Sequence, residues 1–376
     1  MSEIKVNSIK GVAATTAALT INNTDGTCTA NITNNLSNRN IIINGGMTIS
    51  QRKGTTETIV PDNTSFYSVD RFGVFDKLDG GNNFTYQQTT NPVPDGFSHA
   101  LKINTAIADT SIANNNYAFF YQIVEGQNIQ QANLGTSAAK PLTLSFHVYS
   151  NKIGTYTVGL VNQGTFNRTF LKEFTISSQA TWEKKTITFP AITDGTWNDV
   201  RVQWCLSSGT DNQGAADTLL TTTELATSNQ VNFASAVNNS FHITGVQLEV
   251  GSVATDFEYR SFGQELALCQ RYFYAMLDGT LALCENATMY SSSNPFFSVP
   301  FPVEMRIAPS LEVSDGSQHF LKYENGGGTT FQTLSRDGIT STKIAAMNAS
   351  VSGTAGNACM IRGNNASTRV HWSAEL

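Results

Sequence analysis

The stretch FHITGVQLEVGSVATDFEYRSFGQELALCQRYF, residues 241–273, decides how the rest of the chain is organised. Its first half alternates apolar with polar residues, and the apolar ones are Val246, Leu248 and Val250. This period of two is typical of a strand with one buried face. Just upstream, Phe241 and Ile243 have the opposite phase, so the sequence predicts a β-bulge at the glycine of Thr244–Gly245.

The second half of this stretch changes to a helical pattern. Ser261 and Gln264 have the spacing of a capping box, in which both side chains satisfy backbone groups at a helix start. Apolar residues follow at helical spacing, namely Leu266, Cys269 and Phe273. We therefore expect a linker helix over residues 261–273, between a domain at 38–260 and a domain at 274–376. The alternative is an ordinary strand–helix junction.

The composition of the 376-residue chain favours a β-rich protein. Only 14% of its residues are charged, against roughly 25% in typical soluble domains, and Asn, Thr, Ser and Gly are abundant. Small polar residues suit sheet surfaces and tight turns. The net charge is −6 and no run of basic residues occurs, which argues against a nucleic-acid partner.

The sequence carries no signal for membrane insertion, secretion or metal binding. No stretch approaches the ~18 consecutive apolar residues of a membrane span, and the first residues lack the apolar core of a signal peptide. The five cysteines are scattered without CxxC spacing, so neither a zinc site nor a disulfide framework is indicated. We expect synthesis in a cytoplasm, and no cofactor.

Residues 1–37 contain too few apolar residues to form a domain alone, because ordering the backbone costs about 1–2 kcal/mol per residue. The apolar residues that alternate there are Ile4, Val6, Leu19 and Ile21. Such a segment is completed by another surface or stays disordered. The sequence predicts an attachment arm that docks on another protein, with a flexible tail as the alternative.

The rest of the chain consists of short amphipathic strands and turn-rich loops, which predicts an all-β fold. Asn40–Asn44 reads as a strand that enters a glycine turn, and Leu142–Tyr149 alternates apolar and polar residues throughout. Many such strands indicate an antiparallel jelly-roll β-sandwich over residues 38–260. Residues 274–376 predict a smaller β-sandwich domain. The polar loop at 207–238 is long for a compact domain and is a candidate functional loop.

Two sets of segments resemble known families. The first set resembles jelly-roll carbohydrate-binding modules and comprises Asn44–Met47, Asp70–Phe72, Leu142–Tyr149, Trp182–Phe189 and Ile243–Glu249. The second set is similar to bacteriophage tail-fibre and related virion structural proteins and comprises Val246–Ser252, Phe257–Arg260, Gln264–Phe273, Pro302–Pro309 and Ser373–Leu376. Together these resemblances cover roughly residues 38–376.

The resemblance implies a virion surface protein of a bacteriophage, a homotrimer that contacts host-surface glycan. In this interpretation residues 1–37 dock on other virion proteins. Modules of this kind often hold a structural calcium ion with acidic residues at two places. The matching places here carry Thr48 or Ser50 and Thr244 or Gln247, which are weak calcium ligands. We therefore expect no metal site.

Sugar binding needs aromatic rings for the C–H faces of pyranoses and planar polar groups for their hydroxyls. Five residues fit this requirement, namely His147, Tyr149, Trp197, Arg201 and Gln203. The first two share the polar face of one strand, the last two share a face of another, and Trp197 lies in a turn. They make one cleft if the two strands are neighbours in one sheet. Alternatively, Tyr149 and Trp197 only cap the core, to which we also assign Trp182 and Trp204.

Glycoside cleavage would need two carboxylates across a bound sugar. Asp256 and Glu258 come nearest to such a pair, but charges at a domain junction more often solvate the surface or pair with arginine. We therefore expect no enzyme. The sequence predicts a phage fibre protein that attaches to host glycan without catalysis. The alternatives are a capsid-decorating or tail-scaffold protein without glycan binding, and a depolymerase.

Overall fold

The computed structural model describes residues 38–279, 283–316 and 318–376, together with Val6, Thr24 and three short strands near the N-terminus. These strands are β1 (Ser8–Ile9), β2 (Leu19–Ile21) and β3 (Cys28–Ala30), which form an antiparallel sheet in that order. The remainder of residues 1–37 lies outside the described residues, so the docking of this arm stays a prediction.

Two antiparallel sheets form a sandwich after the N-terminal arm, which confirms the all-β fold class. Its elements are β4 (Thr58–Ile59), β5 (Phe66–Tyr67), β6 (Gly73–Lys77), β7 (Phe84–Thr89), β8 (Ala100–Thr105), β9 (Tyr117–Val124), α1 (Gly126–Ile129), β10 (Leu142–Ser150), β11 (Gly154–Asn162), β12 (Thr169–Ile176), β13 (Glu183–Phe189), β14 (Val200–Ser208), β15 (Leu219–Leu220) and β16 (Ser240–Val250). The six-stranded sheet has the order β13-β10-β16-β8-β7-β4, and the seven-stranded sheet has the order β15-β12-β11-β14-β9-β6-β5.

The core of the sandwich lies between the two sheets. Trp204 on β14 is fully buried, and its ring stacks on Phe120 of β9 with 5.1 Å between the ring centroids. From the opposite sheet, Phe146 meets Trp204 edge-on at 5.9 Å. Trp204 is therefore a core residue, as predicted. The core assignment of Trp182 is wrong, because its ring packs on Tyr149 at 5.5 Å, on the outer side of the six-stranded sheet.

The predicted bulge in β16 is present. Ser145 on β10 lies opposite Gln247, but His147 lies opposite Thr244, so β16 has one residue more than β10 between these pairs. Gly245 has a φ of 62°, a left-handed conformation that glycine adopts at little cost. The bulge turns the apolar residues on both sides of it toward the same core.

The predicted linker helix is also present, as α2 (Phe262–Gln270). Its capping box is complete, because the Ser261 hydroxyl accepts from the Gln264 backbone N–H while the Gln264 side chain accepts from the Ser261 N–H. Across the described ranges, no helix has the length and apolar character needed to cross a membrane.

The predicted strand at Asn40–Asn44 is wrong, since this buried segment is irregular. The Asn40 side chain accepts a hydrogen bond from the backbone N–H of Ile42 at 3.0 Å. Likewise, the Asn44 side chain accepts from the N–H of Ile49 at 3.0 Å. Asparagine side chains that bond to nearby backbone groups compete with a β-ladder, and here they replace it.

The C-terminal unit is a smaller sandwich with its own core. Its strands are β17 (Phe273–Asp278), β18 (Leu283–Met289), β19 (Pro295–Pro300), β20 (Ser310–Val313), β21 (Phe320–Glu324), β22 (Gly327–Phe331), β23 (Leu334–Arg336), β24 (Ile344–Ala349), β25 (Ala358–Gly363) and β26 (Arg369–Ser373). They form a three-stranded sheet, β17-β26-β20, and a seven-stranded sheet, β22-β21-β25-β18-β19-β24-β23. The fully buried Trp372 belongs to this second core.

The two units share a packed junction. The Arg71 side chain of the first sandwich forms an ion pair with Glu375 and donates to the Ile123 carbonyl at 2.7 Å. Its guanidinium lies 3.4 Å from the centroid of the Tyr272 ring. Leu376 packs against apolar residues of the first sandwich as well. The last residues of the chain therefore fasten the C-terminal unit to the first sandwich.

Candidate functional site

A ladder of aromatic side chains lies on the outer side of the larger sheet of the first sandwich. Alternate residues of β9 point away from the core and are Tyr117, Phe119 and Tyr121. Their ring centroids are 5.9 Å and 5.4 Å apart along the strand. Phe75 on the adjacent β6 stacks on Phe119 at 5.8 Å. We call this surface, with the residues of β14 beside it, the aromatic face.

Arg201 is the charged residue at the centre of the aromatic face. It lies on β14 directly opposite Ile123 of β9. Its guanidinium carbon is 5.0 Å from the ring centroid of Phe119, 5.5 Å from that of Phe166 and 6.0 Å from that of Tyr121. These distances are in the range of cation–π contacts. Three rings therefore surround the cation.

Within the part of the chain that the structure describes, no carboxylate neutralises Arg201. The side chain is 9% exposed, and it forms no hydrogen bond or ion pair with any residue that the structure describes; its Nε is fully buried. Burial lowers the pKa of Arg201 to about 10. A buried charge is costly unless it is paired. A ligand that accepts hydrogen bonds from Arg201 would therefore reduce this cost.

Several polar atoms near Arg201 are also buried without a hydrogen-bond partner among the described residues. Gln203 lies on the same face, where its Nε2 donates to the carbonyl of Glu224 at 2.9 Å, but its buried Oε1 accepts nothing from the described residues. Thr169 Oγ1 and Glu224 Oε2 are buried without partners too. Most buried polar atoms in proteins are paired. The aromatic face therefore combines flat rings with unused hydrogen-bonding capacity.

Two loops form one wall of the aromatic face. Phe166, in the turn between β11 and β12, is 46% exposed and stands over Arg201. The hydroxyl of Thr223 donates to the Phe166 carbonyl, and Leu225 packs against the aromatic ladder. Thr223 and Leu225 belong to the long polar loop at 207–238, so this loop contributes to the face.

The five predicted site residues do not form one cleft, because their strands lie in different sheets. Arg201 and Gln203 are on β14 in the seven-stranded sheet, whereas His147 and Tyr149 are on β10 in the six-stranded sheet. The first pair and the second pair point outward on opposite sides of the sandwich. The condition that the two strands are neighbours is therefore wrong, and the binding role of each residue stays a prediction.

Trp197 marks a third location. It lines a pocket of about 460 Å³ between α1 and the chain before β14, whose other lining residues are Glu125, Gly126, Gln127, Ile129, Gln130, Asn133, Leu134, Asn198 and Asp199. Its Nε1 donates to the Asp194 carbonyl at 3.0 Å, and its ring packs against the sandwich core. The Trp197 indole nitrogen is thus already used, which leaves the ring face and edge for contacts.

Two carboxylates near the end of β16 have structural partners, and one of them is Glu258 of the pair considered for glycoside cleavage. Glu258 accepts a hydrogen bond from the Asn40 backbone N–H at 2.8 Å. Glu249 accepts from the N–H and the hydroxyl of Thr255, both at 2.8 Å. These contacts fix the segment after β16 against that strand. Within the described residues, no group of three or more His, Cys, Asp and Glu side chains is placed to hold a metal ion.

The sequence alone does not assign Tyr117, Phe119 and Tyr121 to a binding site. The strand has apolar residues on both of its faces, since Phe120 and Ala118 also point into the core. A period of two does not distinguish an outer aromatic face from an inner one. Arg201, on the neighbouring strand β14, was the residue in the sequence that could have indicated a binding site on this face.

No protein-family model matches the chain, and no curated protein sequence matches it. Among solved structures, the enzymatically active domain of tailspike protein 4 of bacteriophage CBA120 is 11% identical, over 56% of this chain and 21% of that chain, with a TM-score of 0.32. A family 11 carbohydrate-binding module from Clostridium thermocellum, in complex with a β-1,3-1,4-mixed-linked tetrasaccharide, is 11% identical over 54% of this chain and 100% of its own, with a TM-score of 0.27. The C-terminal family 22 carbohydrate-binding module of Clostridium thermocellum Xyn10B is 13% identical over 52% and 100%, with a TM-score of 0.28. The chain spans about a fifth of the tailspike chain that it matches.

Proposed function

We propose that this protein is a bacteriophage virion protein that attaches the particle to the host surface by binding glycan without catalysis. One observation carries the proposal: Arg201 is nearly buried among three aromatic rings and forms no hydrogen bond or ion pair with a described residue. Sequence resemblance supports the virion assignment. The homotrimer and the docking of residues 1–37 on other virion proteins remain parts of the same proposal.

A saccharide matches the aromatic face in two ways. The C–H faces of a pyranose pack against rings such as Tyr117 and Phe75, which are only half-buried. A sugar hydroxyl accepts from the Arg201 guanidinium, which is 9% exposed. A hydrogen bond to a charged group contributes about 1.5–3 kcal/mol, so Arg201 would supply much of the affinity.

The absence of catalysis is also proposed, from the geometry that hydrolysis requires. Retaining and inverting glycosidases place two carboxyl groups about 5 to 10 Å apart across the scissile bond. Glu224 lies in the wall of the aromatic face, next to Gln203. Asp256 and Glu258 lie in the segment after β16, which packs on the six-stranded sheet. A binding role therefore fits the aromatic face better than a hydrolytic one.

A glycan array of bacterial surface polysaccharides, probed with the purified full chain, tests this proposal. We expect binding to at least one glycan, and affinity about tenfold or more weaker in Arg201→Gln, as follows from the loss of a charged hydrogen bond. Tyr117→Ala should weaken binding as well. Arg362→Gln is the matched control, because Arg362 stacks on the Tyr323 ring at 4.5 Å in the other sandwich.

Two results would overturn the proposal. One is the absence of binding to every glycan on the array while the chain binds assembled capsids or tails, which favours a decorating or scaffold protein. The other is glycan binding that neither Arg201→Gln nor Tyr117→Ala weakens although both variants are folded by circular dichroism. Release of reducing ends from a bound polysaccharide would contradict the non-catalytic part.

A further inference from the structure

A second surface with an unusual set of side chains lies on the opposite side of the first sandwich, on the outer side of the six-stranded sheet. Tyr149 on β10 is flanked by Trp182 and by His242 on β16, with 5.5 Å and 5.0 Å between ring centroids. His147, two residues before Tyr149, packs on Phe97 at 5.3 Å. We call this surface the histidine face.

The histidine face contains buried polar atoms without partners. His242 is 3% exposed; its Nε2 contacts the Ser240 hydroxyl at 2.8 Å, and the Pro92 carbonyl accepts a hydrogen bond from the ring. Thr244 Oγ1, His147 Nδ1 and Trp182 Nε1 are buried without a hydrogen-bond partner among the described residues. Three such atoms lie on one surface, although most buried polar atoms in proteins are paired.

Two lysines stand at the edges of the histidine face. Lys184 on β13 lies directly opposite His147, and Lys102 on β8 lies directly opposite His242. Neither lysine has a hydrogen bond or an ion pair with a described residue. The acidic residue near Lys102 is Glu57, and its carboxylate already accepts from Thr85 at 2.6 Å and from Asn104 at 3.0 Å.

The charge of this face comes from the lysines rather than the histidines. Burial and the nearby Lys102 lower the pKa of His242 to about 4, and burial and Lys184 lower the pKa of His147. Both imidazoles are therefore neutral at pH 7. Lys184 and Lys102 are three interstrand steps apart across the sheet, roughly 14 Å at about 4.8 Å a step. They are also offset by two residues along the strands, roughly 7 Å in that direction. This separation suits a short oligosaccharide.

We propose that the histidine face binds an acidic saccharide, whose sugar rings pack on Tyr149 and Trp182 and whose carboxylates meet Lys184 and Lys102. Aromatic rings flanked by unpaired cations favour a carboxylated sugar over a neutral one. This site is separate from the aromatic face and does not depend on the function proposed there.

A tetrasaccharide of galacturonic acid tests this proposal. The comparison ligand is the same tetrasaccharide after reduction of its carboxyl groups, which makes it neutral. By titration calorimetry with the full chain, we expect binding of the acidic tetrasaccharide, and affinity at least about tenfold weaker for the reduced one. Added salt should weaken the acidic complex, because it screens exposed charges. Lys184→Gln and Tyr149→Ala should each weaken it too.

Three controls separate this proposal from others. Lys140→Gln changes an exposed lysine away from the face and should have no effect. Arg201→Gln should leave binding of the acidic tetrasaccharide unchanged; a loss there would move the ligand to the aromatic face and overturn this proposal. Equal binding of both tetrasaccharides, no binding at all, or an equal affinity for single-stranded DNA would overturn it as well.

Discussion

Arg201 shows how one side chain can lower stability while it prepares a site. Burial lowers its pKa to about 10, well below the ordinary arginine value, so the charged form is less favourable in the folded chain than in the unfolded one. Because the pKa of this base is depressed, the cost is fully present below pH 10 and disappears only as the pH rises from there toward the ordinary arginine pKa. One pKa unit corresponds to about 1.4 kcal/mol.

The first prediction at this scale is that Arg201→Met stabilises the protein and impairs binding. Removing the unpaired charge should raise the free energy of unfolding by about 1–3 kcal/mol at pH 7, since a buried ionic group is often replaced by an apolar one with a gain in stability. Urea denaturation followed by tryptophan fluorescence measures the change. A destabilised Arg201→Met would mean that the arginine already has a good partner in the folded chain.

Single residues also show what the sequence could reveal about the site. Arg201 and Gln203 were predicted as outward polar residues, and the structure places both on the aromatic face. Trp182 was predicted to be a core residue. It precedes β13 and packs on the outer side instead. Because β13 is an edge strand, a large ring beside it can pack on either side of the sheet.

Among the elements, β16 agrees with its sequence prediction in both its strand and its bulge. Its two apolar phases and its glycine predicted the bulge, because both signals are local. Which strands pair with β16 is not local: β10 and β8 lie on its two sides, from well upstream in the chain. The same limit explains why His147 and Arg201 could not be assigned to different sheets from periodicity alone.

At the scale of elements, the bulge yields a matched pair of substitutions. Gly245 has a φ of 62°, and an added Cβ would lie 2.6 Å from the Phe97 ring and 2.9 Å from His147. We expect Gly245→Ala to lower the free energy of unfolding by about 1–3 kcal/mol, from backbone strain and crowding. Urea denaturation measures this change, and titration calorimetry should show weaker binding of the acidic tetrasaccharide at the histidine face, where the displaced rings lie.

The control is Gly263→Ala in helix α2. An added Cβ there has nothing within 4 Å, so alanine should raise helix stability by about 0.5–1 kcal/mol. Equal effects of the two substitutions would contradict the role assigned to the bulge.

On the scale of the whole molecule, the two sandwiches are joined by buried polar contacts rather than by a loose linker. Besides the Arg71–Glu375 ion pair, Arg271 donates to the Glu125 carboxylate at 2.9 Å and 3.0 Å, and the Tyr272 hydroxyl donates to the same group. Composition and turn signals predicted two β units. They did not predict this junction, because its partners lie far apart in the chain.

The prediction for the whole molecule is that Glu375→Gln uncouples the two sandwiches. The variant leaves Arg71, with a side chain only 2% exposed, without its carboxylate, and breaking a buried pair in this way costs about 3–5 kcal/mol. In calorimetry we expect one unfolding transition for the unchanged chain and two for the variant.

The control is Glu304→Gln, which removes an exposed ion pair with Lys343 at 3.8 Å and should leave the single transition intact. A single transition at the same temperature in Glu375→Gln would show that the junction does not depend on this pair.

The irregular segment that begins at Asn40 has a mechanical consequence. It is bonded to β16 by Ile41 N–H to Leu248 O at 2.8 Å and by Val246 N–H to Gly45 O at 2.9 Å, and Arg260 donates to the Ile42 carbonyl at 3.0 Å. Tension applied to the chain before residue 38 would therefore load β16, the strand beside β10 in the middle of its sheet, and not a peelable edge. These bonds would have to break before the segment separates from β16, so a pull from the N-terminal side is resisted in the interior of the six-stranded sheet.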